Sequence, residues 1–465
     1  NKVTDSDGKI IGFANADNPT SRLFNAKSED ASITIDAVSN KDTFKDHVLA
    51  GLGTPDTSNA QVVNAYNGKT GDIAINSYYR QHDIYGIFGK GTLYNALNGI
   101  GNIVITSQGE QLNSDTQISG MASGSDSYLY NAFGGNGKIT INAEAGNING
   151  MKGVNLINAY NGGNAEINLT AKKGFVRGMA LGSGNGGLAA NAYSDNGSET
   201  TGTITINNSD NNEAIGIGGG KSSSGADLVY NDMLIYNAYG KNSTGKIIIN
   251  GFGVGIATDY KNNRVYNGAN GGYGYIEINA DSGFSDPYTC DIGGIFLYDD
   301  SSYGYNGSSG GTGEIKISLG GYGSNTVYGV YGAVDNGSPD GGKGIIDIDV
   351  ANYDAVGVYG GGNYKDASIK VVSKTNYGTV KGISNVRPGQ DDDSAEMKET
   401  FASSYINHNN GTVTVEANEL AATGYGIYSK GVDAVNDVLG KISVSSSKAY
   451  GIYNDGNIYN KGTIT

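Results

Sequence analysis

The sequence predicts an all-β chain: a right-handed parallel β-helix (a solenoid) of about 14 coils, each with three short strands and with loops inserted at the corners. Three observations carry that prediction. An apolar-x-apolar pair recurs along the whole chain. A glycine followed by a buried-type residue recurs after the pairs. A third element, apolar-Asn-Ala-aromatic, completes the repeat in the same order each time.

The pairs run from Ile33/Ile35 and Ile73/Ile75 through Ile139/Ile141, Ile204/Ile206 and Ile276/Ile278 to Ile442/Val444, and Ile464 begins another. The residue between is mostly polar, as at Thr34, Thr140, Glu277 and Lys316. Alternation with period two is the pattern of a half-buried strand, and β-branched residues suit it. The second element appears as Gly12-Phe13, Gly86-Ile87, Gly120-Met121, Gly150-Met151 and onward to Gly451-Ile452. Its glycine supplies either a positive φ at a corner or room for close backbone approach. The third element is clear at Val63-Asn64-Ala65-Tyr66, Tyr94-Asn95-Ala96-Leu97, Tyr130-Asn131-Ala132-Phe133, Ile157-Asn158-Ala159-Tyr160, Ala190-Asn191-Ala192-Tyr193 and Tyr236-Asn237-Ala238-Tyr239. It decays at Tyr266-Asn267-Gly268 and Tyr305-Asn306-Gly307, and no copy is legible in several later coils.

Successive pairs lie 22 to 44 residues apart. The shortest coil has room for three strands and tight turns of Gly, Asn, Ser and Asp, and none for a helix. Leucine-rich and ankyrin repeats keep more constant periods. One coil cannot bury its own apolar face, so coils must stack strand on strand in parallel ladders. Each buried Ile then contributes roughly 1.5–3 kcal/mol. At roughly 4.8 Å per coil the stack would be about 65–70 Å long. The handedness follows from the rule for parallel crossovers.

Composition narrows the function. Among 465 residues there are 76 Gly, 5 Pro and 33 Tyr, and the strict apolar period excludes the disorder that so much glycine would otherwise signal. The single cysteine, Cys290, excludes an intrachain disulfide. A net charge of −15 argues against nucleic acid and anionic membranes as partners. No apolar stretch is long enough to be a transmembrane segment. The chain opens inside a coil at Gly12-Phe13 and ends inside a strand at Ile464, with no polar cap at either end. One continuous β-helix over 1–465, cut from a longer surface protein, is the expected organisation.

Segments such as Gly137-Lys-Ile-Thr-Ile-Asn142 and Gly451-Ile-Tyr-Asn-Asp-Gly-Asn-Ile-Tyr-Asn-Lys-Gly-Thr-Ile464 resemble the passenger regions of autotransporter and filamentous-haemagglutinin-like adhesins of diderm bacteria. The resemblance covers nearly the whole chain in style. It implies an extracellular location on the bacterial surface, with outer-membrane anchoring through a region outside this sequence. It also implies a partner that is a host-cell or bacterial surface glycan or protein, or another copy of the chain.

Two features are candidate binding surfaces. In the third element, strict alternation puts positions two and four on the outer face. An exposed stripe of Tyr66, Leu97, Phe133, Tyr160, Tyr193 and Tyr239 would then flank an Asn row, ready to stack on sugar rings or a neighbouring copy. The competing reading is a strand that turns a corner, with Asn stacked inside and the aromatics covering the seam. Long insertions at 50–61, 219–230 and 384–404 share one corner, where binding loops tend to reside, or record neutral length drift. The carboxylate run Asp391, Asp392 and Asp393 suits calcium but lacks the flanking pattern of a calcium loop, and reads better as a solvated acidic segment. His47, His82 and His408 are expected at unlike positions of different coils, which excludes a shared metal site. The nearest approach to an enzymatic cluster is Lys316, Asp347 and Lys370 on consecutive first strands, equally an ordinary charge ladder. The expected function is a surface adhesin or stalk with no catalysis and no cofactor. A self-associating filament or layer subunit, and a polysaccharide lyase or hydrolase, are the alternatives.

Overall fold

The computed structural model describes residues 2–3, 9–14, 22–37, 47–53, 60–77, 82–108, 117–123, 127–144, 146–181, 184–208, 214–219, 230–258, 261–280, 292–299, 301–374, 378–385, 404–408, 410–417, 422–430 and 432–465. Strands and turns account for all of its regular structure, and no helix occurs among the described residues. The strands pair in parallel, each with its copies one repeat earlier and one repeat later, which makes the chain a parallel β-helix of many coils. It divides into two compact units, Asn1–Ile235 with Asn242–Lys246, and Tyr236–Lys241 with Ile247–Thr465.

One coil of the first unit shows the construction. Its first strand is Asn136–Ala143, its second Asn147–Gly153 and its third Asn155–Tyr160. On the first strand Ile139 and Ile141 are buried, while Lys138 and Asn142 face solvent. Ile139 lies between Ile103 and Ile167 of the flanking coils, and Ile141 lies between Ile105 and Leu169. The second strands align Ile87, Met121, Met151 and Met179. The third strands align Leu93, Leu129 and Leu156. A one-residue slip would expose each of these rows together, so the hydrophobic pattern fixes the register.

The recurrent glycine answers to crowding, not to backbone sign. Gly86, Gly120, Gly150 and Gly178 have no positive φ. A Cβ on Gly120 would strike Cγ2 of Ile139 in the next turn and the carbonyl oxygen of Gly150. The glycine therefore leaves the hole that the first-strand isoleucine fills.

The second unit repeats the plan, with Ile276, Ile315, Ile346, Ile369, Val413 and Ile442 in one row. In two of its coils the first and second strands run together as Thr312–Tyr331 and Lys343–Tyr359. Its second-strand corner carries an aromatic stack that the repeat analysis missed. Phe296 and Tyr331 stack at 5.1 Å, Tyr331 and Tyr359 at 4.8 Å, and Tyr428 and Tyr453 at 5.0 Å. The signal was legible as Gly-aliphatic-aromatic in Gly294-Ile295-Phe296, Gly329-Val330-Tyr331 and Gly357-Val358-Tyr359.

Two expectations need correction. Residues 50–53 are not loop. Gly51-Leu52 is a further glycine–hydrophobe pair, inside the strand His47–Gly53. The same strand puts His47 directly beside His82 of the next coil, so these histidines occupy like positions, four residues before equivalent glycines. The insertions themselves do fall between second and third strands, after Gly53, Gly219 and Ser384. Residues 54–59, 220–229 and 386–403, with Asp391, Asp392, Asp393 and also Cys290, lie outside the described residues.

Candidate functional site

The third-strand corner decides between the two readings of the aromatic stripe. Asn64, Asn95, Asn131, Asn158 and Asn191 are wholly buried. The strand bends there: pairing runs Tyr130 to Ile157 and Ala132 to Ala159, passing over the asparagines. The bend turns positions two and three inward and leaves position four partly exposed; position one is buried at Val63, Ile157 and Ala190 and partly exposed where it is tyrosine. Strict alternation therefore fails at this corner, and the Asn row is internal.

Inside, the amides form a continuous hydrogen-bonded ladder. In the first unit Nδ2 of each asparagine donates to Oδ1 of the next, from Asn25 to Asn64 at 2.8 Å and along Asn64, Asn95, Asn131, Asn158 and Asn191 at 2.9 Å per step. The same Nδ2 groups also reach backbone carbonyls, such as Asn64 to Gly71 at 2.7 Å and Asn95 to Gly101 at 2.9 Å. A buried amide is tolerated only when its donors and acceptors are met, and here the next coil meets them. The second unit carries its own ladder through Asn237, Asn267, Asn306, Asn336, Asn363, Asn407, Asn436 and Asn460. The last five of these were missed, because alanine no longer follows the amide and no copy keeps the full motif while the amide persists.

Outside, Tyr66, Leu97, Phe133, Tyr160 and Tyr193 form one row along the first unit, all half-buried. Tyr239 belongs to the second unit, where its ring lies 4.8 Å from Tyr236. A second row contains Phe24, Val63, Tyr94 and Tyr130. Position-one residues read as largely core-like, and Val63, Ile157 and Ala190 are buried, but the larger Tyr94 and Tyr130 remain partly exposed at the bend. Tyr94 and Tyr130 stack at 5.1 Å and 11°, and Tyr160 and Tyr193 at 5.8 Å and 9°. Phe133 bridges the rows edge-on to Tyr130 at 5.4 Å. Tyr128, 46% exposed, extends the face. In-register rings cover one another's faces, so the outward surface consists mostly of ring edges and phenol hydroxyls.

One hydroxyl is fixed by a carboxylate. Tyr160 donates to Asp195 at 2.8 Å, and Nδ2 of Asn161 donates to the other oxygen of Asp195 at 2.6 Å. The amide of Asn161 and the phenol of Tyr160 hold the Asp195 carboxyl below its usual range. Burial, reinforced by Asp195, pushes the Tyr160 phenol up to about 12. Burial and the neighbouring phenols raise Tyr130 as well. None of these hydroxyls is a nucleophile at neutral pH; each remains a protonated donor.

The remaining candidates form ordinary surface features. Glu277, Lys316, Asp347 and Lys370 are successive neighbours in one outward row, with Lys316 and Glu277 4.0 Å apart, which is an alternating charge ladder. A shallow polar depression on the first-strand face is lined by Asn102, Asn136, Lys138, Asn164 and Glu166, and a 3.3 Å ion pair from Lys138 to Glu166 spans it. His408 stacks on Tyr364 at 4.2 Å. No group of three or more His, Cys, Asp or Glu suited to a metal occurs among the described residues, and no helix there is long and apolar enough to cross a membrane. Comparison with protein-family models, curated proteins and solved structures gives no match.

Proposed function

We propose that this chain is a non-catalytic attachment scaffold of the bacterial cell surface, an adhesin or stalk that binds a surface glycan, a protein or another copy of itself. One observation carries the reading. The third-strand corner of the first unit presents Tyr94, Tyr128, Tyr130, Phe133, Tyr160 and Tyr193 as one contiguous, partly exposed aromatic face. Exposed aromatic patches of this extent mark interaction surfaces. Beneath the face, the amide ladder and the stacked coils make a rigid platform, so little ordering entropy opposes binding. Ring edges and donor hydroxyls favour a partner rich in acceptors, as glycans and polypeptide backbones are.

The test uses the variant Tyr128→Ser/Tyr160→Ser/Tyr193→Ser, with circular dichroism confirming the fold. Binding to whole cells, a glycan array and immobilised chain should weaken at least tenfold in whichever assay the parent registers. Undiminished binding would remove the face from the account. Loss in the immobilised-chain assay alone would identify the partner as another copy.

A further inference from the structure

The second-strand corner of the first unit holds two cations that form no ion pair among the described residues. There, as at the asparagine corner, the strand bends, and of the residues flanking the inward glycine–hydrophobe pair Lys152 and Arg177 are partly exposed while Asn149 and Ala180 are buried. Asn149 and Lys152 flank Gly150-Met151, and Arg177 and Ala180 flank Gly178-Met179. The register sets Arg177 beside Asn149, and Ala180 beside Lys152. Arg177 and Lys152 are thus diagonal neighbours on adjacent coils.

Neither is within ion-pair distance of a carboxylate among the described residues. Lys152 donates to a neutral acceptor, Oε1 of Gln117, at 3.1 Å. Nε of Arg177 is buried with no acceptor, and the guanidinium forms no hydrogen bond or ion pair among the described residues. Its charged end lies 6.0 Å from the centre of the Phe175 ring. Asp83 is the carboxylate within electrostatic reach of Lys152, but its oxygens accept from the backbone N–H of Gln117 at 3.0 Å and the hydroxyl of Tyr85 at 3.3 Å. Burial first, and Arg177 second, hold the Lys152 ammonium below the usual lysine range.

We propose that Arg177 and Lys152 form a binding site for an oxyanion, the carboxylate or sulfate group carried by acidic sugars. Two like charges side by side repel, and the buried Nε–H of Arg177 is left without an acceptor. A single oxyanion between them cancels the repulsion and accepts from both, with the planar guanidinium suited to two parallel hydrogen bonds. In a chain of net charge −15, this is a local reversal of sign. The site lies on a different corner from the aromatic face and stands whether or not that face binds anything.

The full chain would be titrated calorimetrically with sodium sulfate and, separately, with digalacturonate, holding ionic strength constant with chloride. One saturable site per chain is expected for at least one probe, weakened at least tenfold by Arg177→Gln and by Lys152→Gln. Lys152→Arg, which keeps the charge, should retain binding. Sulfate alone binding would assign a tetrahedral anion, and digalacturonate alone a carboxylate. No saturable heat from either probe, or equal binding by both glutamine variants, would overturn the proposal. The Arg177 Nε–H NMR signal gives a second reading should a variant fold poorly: it shifts with saturation if the site is real and stays still if it is not.

Discussion

At the scale of single residues, the buried asparagines do the work that a core usually leaves to hydrocarbon. Asn131 accepts from Asn95, donates to Asn158 and reaches the carbonyl of Glu166 at 3.1 Å. Asn131→Leu would leave the Asn158 acceptor buried without its donor and remove one acceptor of the Asn95 amide, which keeps the Gly101 and Lys138 carbonyls. The expected cost is about 1–3 kcal/mol, that of one orphaned buried group. Hydrogen exchange should quicken in the coils of Asn95, Asn131 and Asn158, and unchanged protection there would contradict the ladder. A second residue sets a pH dependence. Asp335 in the second unit accepts from the backbone N–H of Gly362 at 2.7 Å and from Tyr364, yet burial pushes its carboxyl up to about 6. A raised carboxyl keeps its proton longer in the folded state than in the unfolded one. Its contribution is therefore complete below about pH 4 and is lost as pH rises to about 6, on the order of 3 kcal/mol. His408, lowered chiefly by burial, acts with the opposite sign in a neighbouring range. The difference between wild type and Asp335→Asn isolates the carboxyl: denaturation midpoints should show the variant gaining on wild type between pH 4 and 6, and parallel curves would refute it.

At the scale of the strand and its corner, two kinds of glycine separate. Gly120 sits against Ile139 and the Gly150 carbonyl with an ordinary φ, whereas Gly186 has φ +69° and open space around it. Gly120→Ala forces the isoleucine row apart and should cost about 2–3 kcal/mol by overpacking. Gly186→Ala meets only backbone strain, about 1–2 kcal/mol. Urea unfolding that ranked the two in reverse would refute the close-packing role. The same comparison shows why the sequence was easy to read in some places and not in others. The first strands were legible because Ile-x-Ile alternation is a direct image of burial. The third strand left two readings open because alternation stops where Asn131 bends the chain and a buried amide looks polar on any hydropathy scale; the corner-turning one, with Asn inside, is the one the burial supports. The later asparagines, Asn336 to Asn460, escaped because a ladder needs only the amide, leaving its neighbours free to drift. The second-corner aromatics were legible as Gly-aliphatic-aromatic, but the Arg177–Lys152 pair depends on which residues flank an inward pair, and that is visible only once the bend is known.

At the scale of the whole molecule, fold and function stand on different ground. Repetition of near-identical coils makes the fold, since each row of like residues supports the next. It also spreads any binding surface over several coils, so that the row from Tyr66 to Tyr193 is one feature with many parts, each weakly constrained. That form suits attachment, where many modest contacts add, better than catalysis, which needs a few groups held at set distances. The most direct measurement incubates the purified chain with whole cells and with a panel of surface glycans, and follows bound protein and newly released reducing or unsaturated sugar ends in the same samples. The account predicts saturable binding with no released ends. Release of ends that rises with time and with chain concentration would contradict it.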